Sequence, residues 1–96
     1  MWQVQLHRDV AAKLEKYGEQ NPEFIPTLGD LRNELATNPK QFERKQGKLR
    51  KARAAPLKWL GDAWRAVFTI DEERRIVRVL SLGPHDEAYA EAARRI

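Results

Sequence analysis

The chain of 96 residues contains no cysteine. A disulfide framework and a thiolate site are therefore excluded, and the composition suits a reducing compartment. The chain also lacks any run of the roughly 18 apolar residues that a membrane-crossing helix needs. We therefore expect a soluble cytoplasmic protein that does not enter a membrane. Because a chain of this length supports one modest core, we expect a single domain over residues 1–96.

Motifs of metal, phosphate and nucleophilic chemistry are also missing. The two histidines, His7 and His85, lie far apart and no HExxH spacing is present, so we expect no metal site. Glycine loops of the GxxxxGKS/T and GxGxxG kinds are absent, and so is the GxSxG motif of hydrolases. We expect no cofactor. The acidic pair Glu72 and Glu73 falls in a predicted turn, where a solvated pair is far commoner than a catalytic one.

The clearest pattern that is present lies between Trp64 and Leu82. Apolar residues alternate with others from Trp64 to Ile70, which is the period of a half-buried strand. A polar turn at 71–74 separates this run from a β-branched run over 75–82. The two runs predict an antiparallel hairpin.

The N-terminal part predicts one strand and two helices. Residues 2–7 alternate as a strand does. We expect Asp9 to cap a first helix that Gly18 ends in the left-handed conformation. A second amphipathic helix is predicted to begin near Pro26 and to end at Asn38-Pro39.

The predicted element order is strand, helix, helix, three or four antiparallel strands, and a short C-terminal helix. This order indicates an α+β fold in which the N-terminal strand and an αα-hairpin pack on one side of a small antiparallel sheet. The strand over 75–82 is apolar on both faces. We expect either the C-terminal helix or a partner to cover its second face.

Positive charge is concentrated between residues 44 and 58, in a chain of net charge +4. Short apolar pieces at Leu49 and at 57–60 predict strands there, so we expect a scaffold to hold the cations. A solvated, partly mobile loop is the alternative. We interpret the segment as an RNA-binding surface. Its predicted RNA-binding residues are Arg44, Lys45, Lys48, Arg50, Lys51 and Arg53.

The predicted hairpin could gather an arginine, a histidine and a tyrosine into one site. Arg65 begins one strand, and its guanidinium can bind two phosphate oxygens at once. His85 follows the end of the next strand, and histidine is a residue type that commonly transfers protons. Tyr89 could stack on a base or orient a phosphate. RNA supplies its own nucleophile, the 2′-hydroxyl, so these groups could serve RNA cleavage. Each residue also has a structural alternative. Arg65 could form a salt bridge with a surface acid, His85 could be an ordinary surface histidine, and Tyr89 could pack against the sheet.

Three segments resemble the RelE/ParE superfamily of toxins from type II toxin–antitoxin systems. They are Gly47–Arg50 (GKLR), Trp64–Phe68 (WRAVF) and Leu82–Tyr89 (LGPHDEAY). The superfamily has a KLRG-like segment, an aromatic–arginine strand and a G-x-R-x-x-x-Y ending in the same order. The resemblance covers nearly the whole chain and implies the same strand–helix–helix–sheet–helix plan.

The resemblance also implies roles for four catalytic residues. Lys58 matches the lysine taken as proton acceptor in RelE-like enzymes, and Arg65 matches the arginine that stabilises the phosphate. His85 stands where RelE has its late arginine, the presumed proton donor. Tyr89 matches the tyrosine of the G-x-R-x-x-x-Y ending.

Two positions depart from the pattern of the superfamily. Histidine at His85 is a departure in a sensible direction, because imidazolium releases a proton far more readily than guanidinium. Pro56 falls where RelE has a first lysine, so that contact is either missing or supplied by Lys51 or Arg53.

In the superfamily, the RelE branch cleaves mRNA in the ribosomal A site and the ParE branch inhibits DNA gyrase. We therefore predict an endoribonuclease toxin that cuts mRNA on the ribosome by metal-free attack of the 2′-hydroxyl and so inhibits translation. The implied partners are a cognate antitoxin, the ribosome and mRNA. The alternative is a non-enzymatic gyrase inhibitor of the ParE kind. A third hypothesis is an inactive homologue or a plain nucleic-acid-binding protein.

Overall fold

Four strands and three α-helices form the chain in the computed structural model, which describes all 96 residues. None of the helices has the length and apolar character needed to cross a membrane. Two short 3₁₀ turns, Pro39–Gln41 and Gly47–Leu49, precede the second strand. The elements in chain order are β1 (Gln3–Leu6), α1 (Arg8–Gln20), α2 (Phe24–Thr37), β2 (Arg53–Trp59), β3 (Asp62–Asp71), β4 (Ile76–Pro84) and α3 (His85–Arg95).

The four strands form one sheet in the order β1–β4–β3–β2. Strands β2, β3 and β4 pair antiparallel, which confirms the predicted hairpin. Strand β1 joins the sheet parallel to β4, with Val4 opposite Val77. The sheet is therefore mixed. Parallel pairing needs a long connection. Here the connection contains α1, α2, β2 and β3.

The sheet is covered on both faces, by α1 and α2 on one and by α3 on the other. Trp64, Ala66 and Phe68 of β3 belong to a core cluster of 13 buried residues that includes the buried side chains of α1 and α2. Val67 belongs instead to a cluster of five with residues of α3. That smaller cluster consists of Ala52, Val67, Leu80, Ala88 and Ala92. The C-terminal helix therefore covers the second face of the sheet, and the helices are not all on one side.

A β-bulge explains why β4 is apolar on both faces. Val67 pairs with Ser81 and Phe68 pairs with Val79, which leaves Leu80 as an extra residue. A bulge shifts the alternation of side chains by one residue. Val79 and Leu82 consequently reach the same core cluster, while Leu80 joins the cluster beneath α3.

The ends of α1 differ from the prediction. His7 is the N-cap, and its Nδ1 accepts a hydrogen bond from the backbone N–H of Asp9 at 3.1 Å. The helix continues through Gly18, which does not have a positive φ. It ends at Asn21, whose backbone N–H and side-chain amide both donate to the carbonyl of Tyr17. The amide of Asn21 provides a later C-terminal cap, so a glycine stop is not needed.

Helix α2 begins at Phe24, before the predicted start at Pro26, and ends at Asn38 as predicted. Proline is tolerated in a first turn because the N–H groups there have no intrahelical partner.

The turn between β2 and β3 is Leu60–Gly61. Both residues have positive φ, 51° and 81°, and Trp59 pairs with Asp62 across the turn. Positive φ at both central residues defines the type I′ hairpin turn. Leucine is an unusual first residue for this turn because its side chain disfavours the left-handed region.

Two cations cover the part of the β4 edge that β1 leaves open. The guanidinium of Arg95 donates to the carbonyl of Leu80 at 2.7 Å, and the ammonium of Lys13 donates to that of Leu82 at 3.3 Å. Both cations also form salt bridges with Glu91, at 3.1 and 3.5 Å. These contacts attach α3 to β4 and to α1, so they help to position the first turn of α3.

Candidate functional site

An open cleft of about 320 Å³ lies on the α3 side of the sheet. It brings together three of the four predicted catalytic residues and two of the predicted RNA-binding residues. We call it the reaction cleft. Its lining residues are Glu43, Arg44, Lys45, Ala54, Pro56, Arg65, His85 and Tyr89.

Arg65 lies at the base of the reaction cleft, on β3, which runs between β2 and β4. It pairs with Pro56 on one side and with Gly83 on the other. It donates to the carbonyl of Trp64 at 3.0 Å and forms no salt bridge. The surface-salt-bridge alternative for Arg65 is therefore wrong.

His85 is the first residue of α3 and is half exposed, with 49% of its side chain accessible. Its Nδ1 lies 2.9 Å from a carboxylate oxygen of Asp86, which orients the ring. Its ring also packs edge to face against Tyr89, one helical turn later, with centroids 4.6 Å apart. These two contacts fix the imidazole while leaving it open to the cleft.

Lys45 enters the reaction cleft from the segment before β2. Its Nζ lies 4.7 Å from the ring centroid of Tyr89, a cation–π geometry. The backbone holds Lys45 there. Its N–H donates to the carbonyl of Ala52 at 2.9 Å, and the backbone of the preceding residue, Arg44, pairs with that of Arg53 in an isolated antiparallel β-bridge. The sequence predicts Lys45 only as part of a general RNA-binding surface. No local signal could have indicated this contact, because the partner lies in α3.

Apart from Arg44, the other lysines and arginines predicted from the sequence lie outside the reaction cleft. Lys58 is exposed on β2, two residues beyond Pro56 and on the same sheet face as Arg65, but does not line the cleft. Lys51 and Arg53, the two residues that could have replaced a lysine at Pro56, do not line it either, which favours the alternative that this contact is missing. Arg53 instead donates to the carbonyl of Phe42 at 2.7 Å. The lysine that the cleft contains is Lys45.

Sequence and structure comparisons give different results for this chain. No protein-family model matches the sequence, and no curated protein matches it. Among solved structures, a chain of the toxin–antitoxin complex RelBE2 from Mycobacterium tuberculosis superposes with a TM-score of 0.71 at 16% identity. That superposition covers 88% of this chain and 98% of the other. The chain has the RelE toxin fold.

A second structure supports the same assignment of the fold. The E. coli toxin RelE, an arginine-to-alanine double mutant in the free state, superposes with a TM-score of 0.62 at 18% identity. The superposition covers 99% of this chain and 97% of RelE. The predicted α+β, RelE-like architecture is therefore confirmed.

In this RelE fold a second cleft, of about 440 Å³, adjoins the turn after β3. We call it the cationic cleft; it is lined by Arg44, Arg50, Lys51, Arg53, Ile70 and Glu72. Lys48 and Leu49 lie in a 3₁₀ turn, so Leu49 is not in a strand, and Lys48 lines neither cleft.

Glu72 is the only carboxylate in the cationic cleft, and Lys40 forms a salt bridge with it. The hydrogen bond and the charge of Lys40 lower the pKa of Glu72 below its ordinary value of 4.5, and the charges of Arg44 and Arg53 lower it further. The cationic cleft therefore favours negative charge.

Proposed function

We propose that this chain is the toxin of a type II toxin–antitoxin system and that it inhibits translation by cleaving mRNA on the ribosome. The observation that carries the proposal is the convergence of Arg65, His85, Tyr89 and Lys45 in one open cleft. The RelE fold supports it, since the similar structures come from a toxin and from a toxin–antitoxin complex. A cognate antitoxin, the ribosome and mRNA are the partners, in the cytoplasm.

The reaction is attack of an RNA 2′-hydroxyl on the adjacent phosphorus. One P–O bond forms, the bond to the 5′-oxygen breaks, and the products end in a 2′,3′-cyclic phosphate and a 5′-hydroxyl. The 2′-hydroxyl loses a proton and the 5′-oxygen gains one. The site must therefore accept a proton, donate a proton and stabilise charge on the phosphate oxygens.

Arg65 is the phosphate-binding group, because its guanidinium is free of carboxylates and can donate to two non-bridging oxygens. His85, as imidazolium, donates the proton to the 5′-oxygen, and Asp86 orients its ring. Lys58, with its amine in the neutral form, accepts the proton of the 2′-hydroxyl from the neighbouring position on β2 and becomes an ammonium. Its flexible four-carbon side chain must extend along the sheet face to reach the substrate.

Lys45 and Tyr89 bind and orient the substrate. The ammonium of Lys45 adds positive charge beside the phosphate, and the ring of Tyr89 supports both Lys45 and His85. The ribosome supplies much of the remaining alignment by holding the mRNA in position.

Primer extension on a defined mRNA in a purified translation system tests the proposal. We expect wild-type protein to cut at A-site codons. The variants Arg65→Gln and His85→Gln should cut at least about 100-fold more slowly. The matched control is Arg94→Gln, an exposed arginine in the last turn of α3.

A gyrase inhibitor would need no proton transfer in the reaction cleft. Uncut mRNA, together with equal inhibition of gyrase supercoiling by wild type and His85→Gln, would contradict the proposal and support that alternative.

A further inference from the structure

The cations of the cationic cleft lack anionic partners within the protein. Arg44, Arg50 and Lys51 form no salt bridge in the structure. Arg53 donates only to the backbone carbonyls of Lys40 and Phe42. Glu72 is already paired with Lys40. Four positive side chains therefore converge on a volume of about 440 Å³ with no carboxylate bound to any of them.

The cations of this cleft make the electrostatic potential positive at the carboxylate of Glu72. The pKa of Glu72 is lowered first by Lys40 and then by Arg44 and Arg53, which line the cleft. A carboxylate in the cleft is therefore stabilised by cations other than its salt-bridge partner. A phosphate that enters the cleft would meet the same stabilisation.

Arg44 lines both the reaction cleft and the cationic cleft. Its backbone pairs with that of Arg53 in an isolated β-bridge at the outer side of β2, which is an edge strand of the sheet. Arg53 lies three positions before Pro56, or about 10 Å along the strand, so the two side chains point to opposite faces of the sheet. The two clefts therefore lie on opposite faces of the sheet at the same β2 edge, and Arg44 lines both of them across that edge.

We propose that the cationic cleft binds a backbone phosphate of the same RNA strand that is cut in the reaction cleft. This inference rests on the proposed function and specifies its substrate as single-stranded RNA that extends several nucleotides beyond the cut. Phosphates recur at regular intervals along one chain, which matches two clefts joined by Arg44. Three of the four cations are arginines, whose planar fork suits phosphate oxygens.

Fluorescence anisotropy of a labelled RNA of about 10 nucleotides, methylated on every 2′-oxygen so that it is not cut, tests this proposal. The variant is Arg50→Gln/Lys51→Gln, which removes two cations from the cationic cleft. Its matched control is Lys16→Gln/Arg32→Gln, which removes the same two charges from α1 and α2. A methylated trinucleotide serves as the ligand too short to reach both clefts.

We expect the cleft variant to bind the long RNA roughly 10- to 30-fold more weakly than wild type at 0.1 M salt, with the salt slope reduced by about 0.7, as for one lost phosphate contact on a single strand. The control pair should remain within about threefold of wild type, and both variants should bind the trinucleotide as wild type does. Equal affinity of the two variants for the long RNA would overturn the proposal. Tighter binding of an acidic peptide than of RNA, lost in the cleft variant, would also overturn it and assign the cleft to a protein partner.

Because the RNA in this assay is not cut, its result is separate from that of the cleavage assay. Absent cleavage with the expected binding difference would contradict the proposed function alone. Cleavage without the binding difference would contradict the second phosphate position alone.

Discussion

The imidazole ring of His85 packs edge to face against the ring of Tyr89, with centroids 4.6 Å apart. Lys45 approaches the same tyrosine ring, with its ammonium 4.7 Å from the centroid. One aromatic ring therefore contacts two groups of the proposed site, one from α3 and one from the segment before β2. This arrangement makes the ring of Tyr89, rather than its hydroxyl, the structural centre of the reaction cleft.

Substitutions of Tyr89 should separate the ring from the hydroxyl. The hydroxyl makes no hydrogen bond in the structure, so we expect Tyr89→Phe to cleave mRNA within about threefold of wild type. Tyr89→Leu removes the aromatic face that holds Lys45 and His85, and we expect a loss of about 10- to 100-fold. Single-turnover cleavage of a defined mRNA on the ribosome measures both. Equal losses in the two variants would show that the hydroxyl acts in the reaction.

Lys45 should matter more to cleavage than its place in a long basic segment suggests. A charged group that binds a phosphate contributes about 1.5–3 kcal/mol, so Lys45→Gln should cut about 10- to 100-fold more slowly. Lys48→Gln removes the same charge from the same segment but lies outside both clefts, and it should cut within about threefold of wild type. Single-turnover rates for the two variants provide the comparison. Similar rates would mean that Lys45 contributes only to the general charge of the surface.

The parts of the fold that follow from local patterns could be predicted from the sequence. The β3–β4 hairpin follows from its alternation and polar turn, and α2 follows from the stripe that includes Phe24, Leu31 and Leu35, all of which are buried. The parallel pairing of β1 and the bulge at Leu80 depend on contacts between distant segments. Single-sequence patterns carry no information on such contacts.

The same distinction applies to the candidate site. The hairpin pattern places Arg65 close to His85, because β4 pairs Gly83 with Arg65 two residues before that histidine. Lys45 reaches Tyr89 only because the backbone before β2 attaches to the sheet edge. Lys51 or Arg53 was one of two alternatives for the missing lysine, but Lys51 precedes β2 and Arg53 lies three positions before Pro56, on the other face of the strand. That register could not be read from the sequence alone. The catalytic roles of all these residues remain predictions.

The turn between β2 and β3 should be open to stabilisation. Leu60 is 73% exposed and has a φ of 51°, a conformation that asparagine adopts more readily. We expect Leu60→Asn to raise the free energy of unfolding by about 0.5–1 kcal/mol. Leu60→Ala keeps the unfavourable φ and should give no gain, which makes it the control. Urea unfolding monitored by tryptophan fluorescence measures both, and equal stabilities of the two variants would contradict the assignment of strain to Leu60.

The pKa of Glu72 should lie below its ordinary value of 4.5, because Lys40 donates to its carboxylate and adjacent cations stabilise the charge. A lowered pKa in the folded state stabilises the protein above about pH 4.5, and this contribution is lost as the pH falls through the lowered pKa. Carbon-detected NMR titration of the Glu72 carboxyl measures the pKa directly. Lys40→Gln should raise it toward 4.5. A value at or above 4.5 in the wild-type protein would show that the cations of the cationic cleft do not act on Glu72.

The central claim is that the reaction cleft cuts RNA by using the substrate's own 2′-hydroxyl. The most direct measurement is primer extension on an mRNA that carries one 2′-deoxynucleotide immediately before a mapped cut. The sequence and the translation conditions are unchanged. We predict that the cut disappears at this position and persists at the other codons of the same message. Continued cutting at the deoxynucleotide would contradict the account.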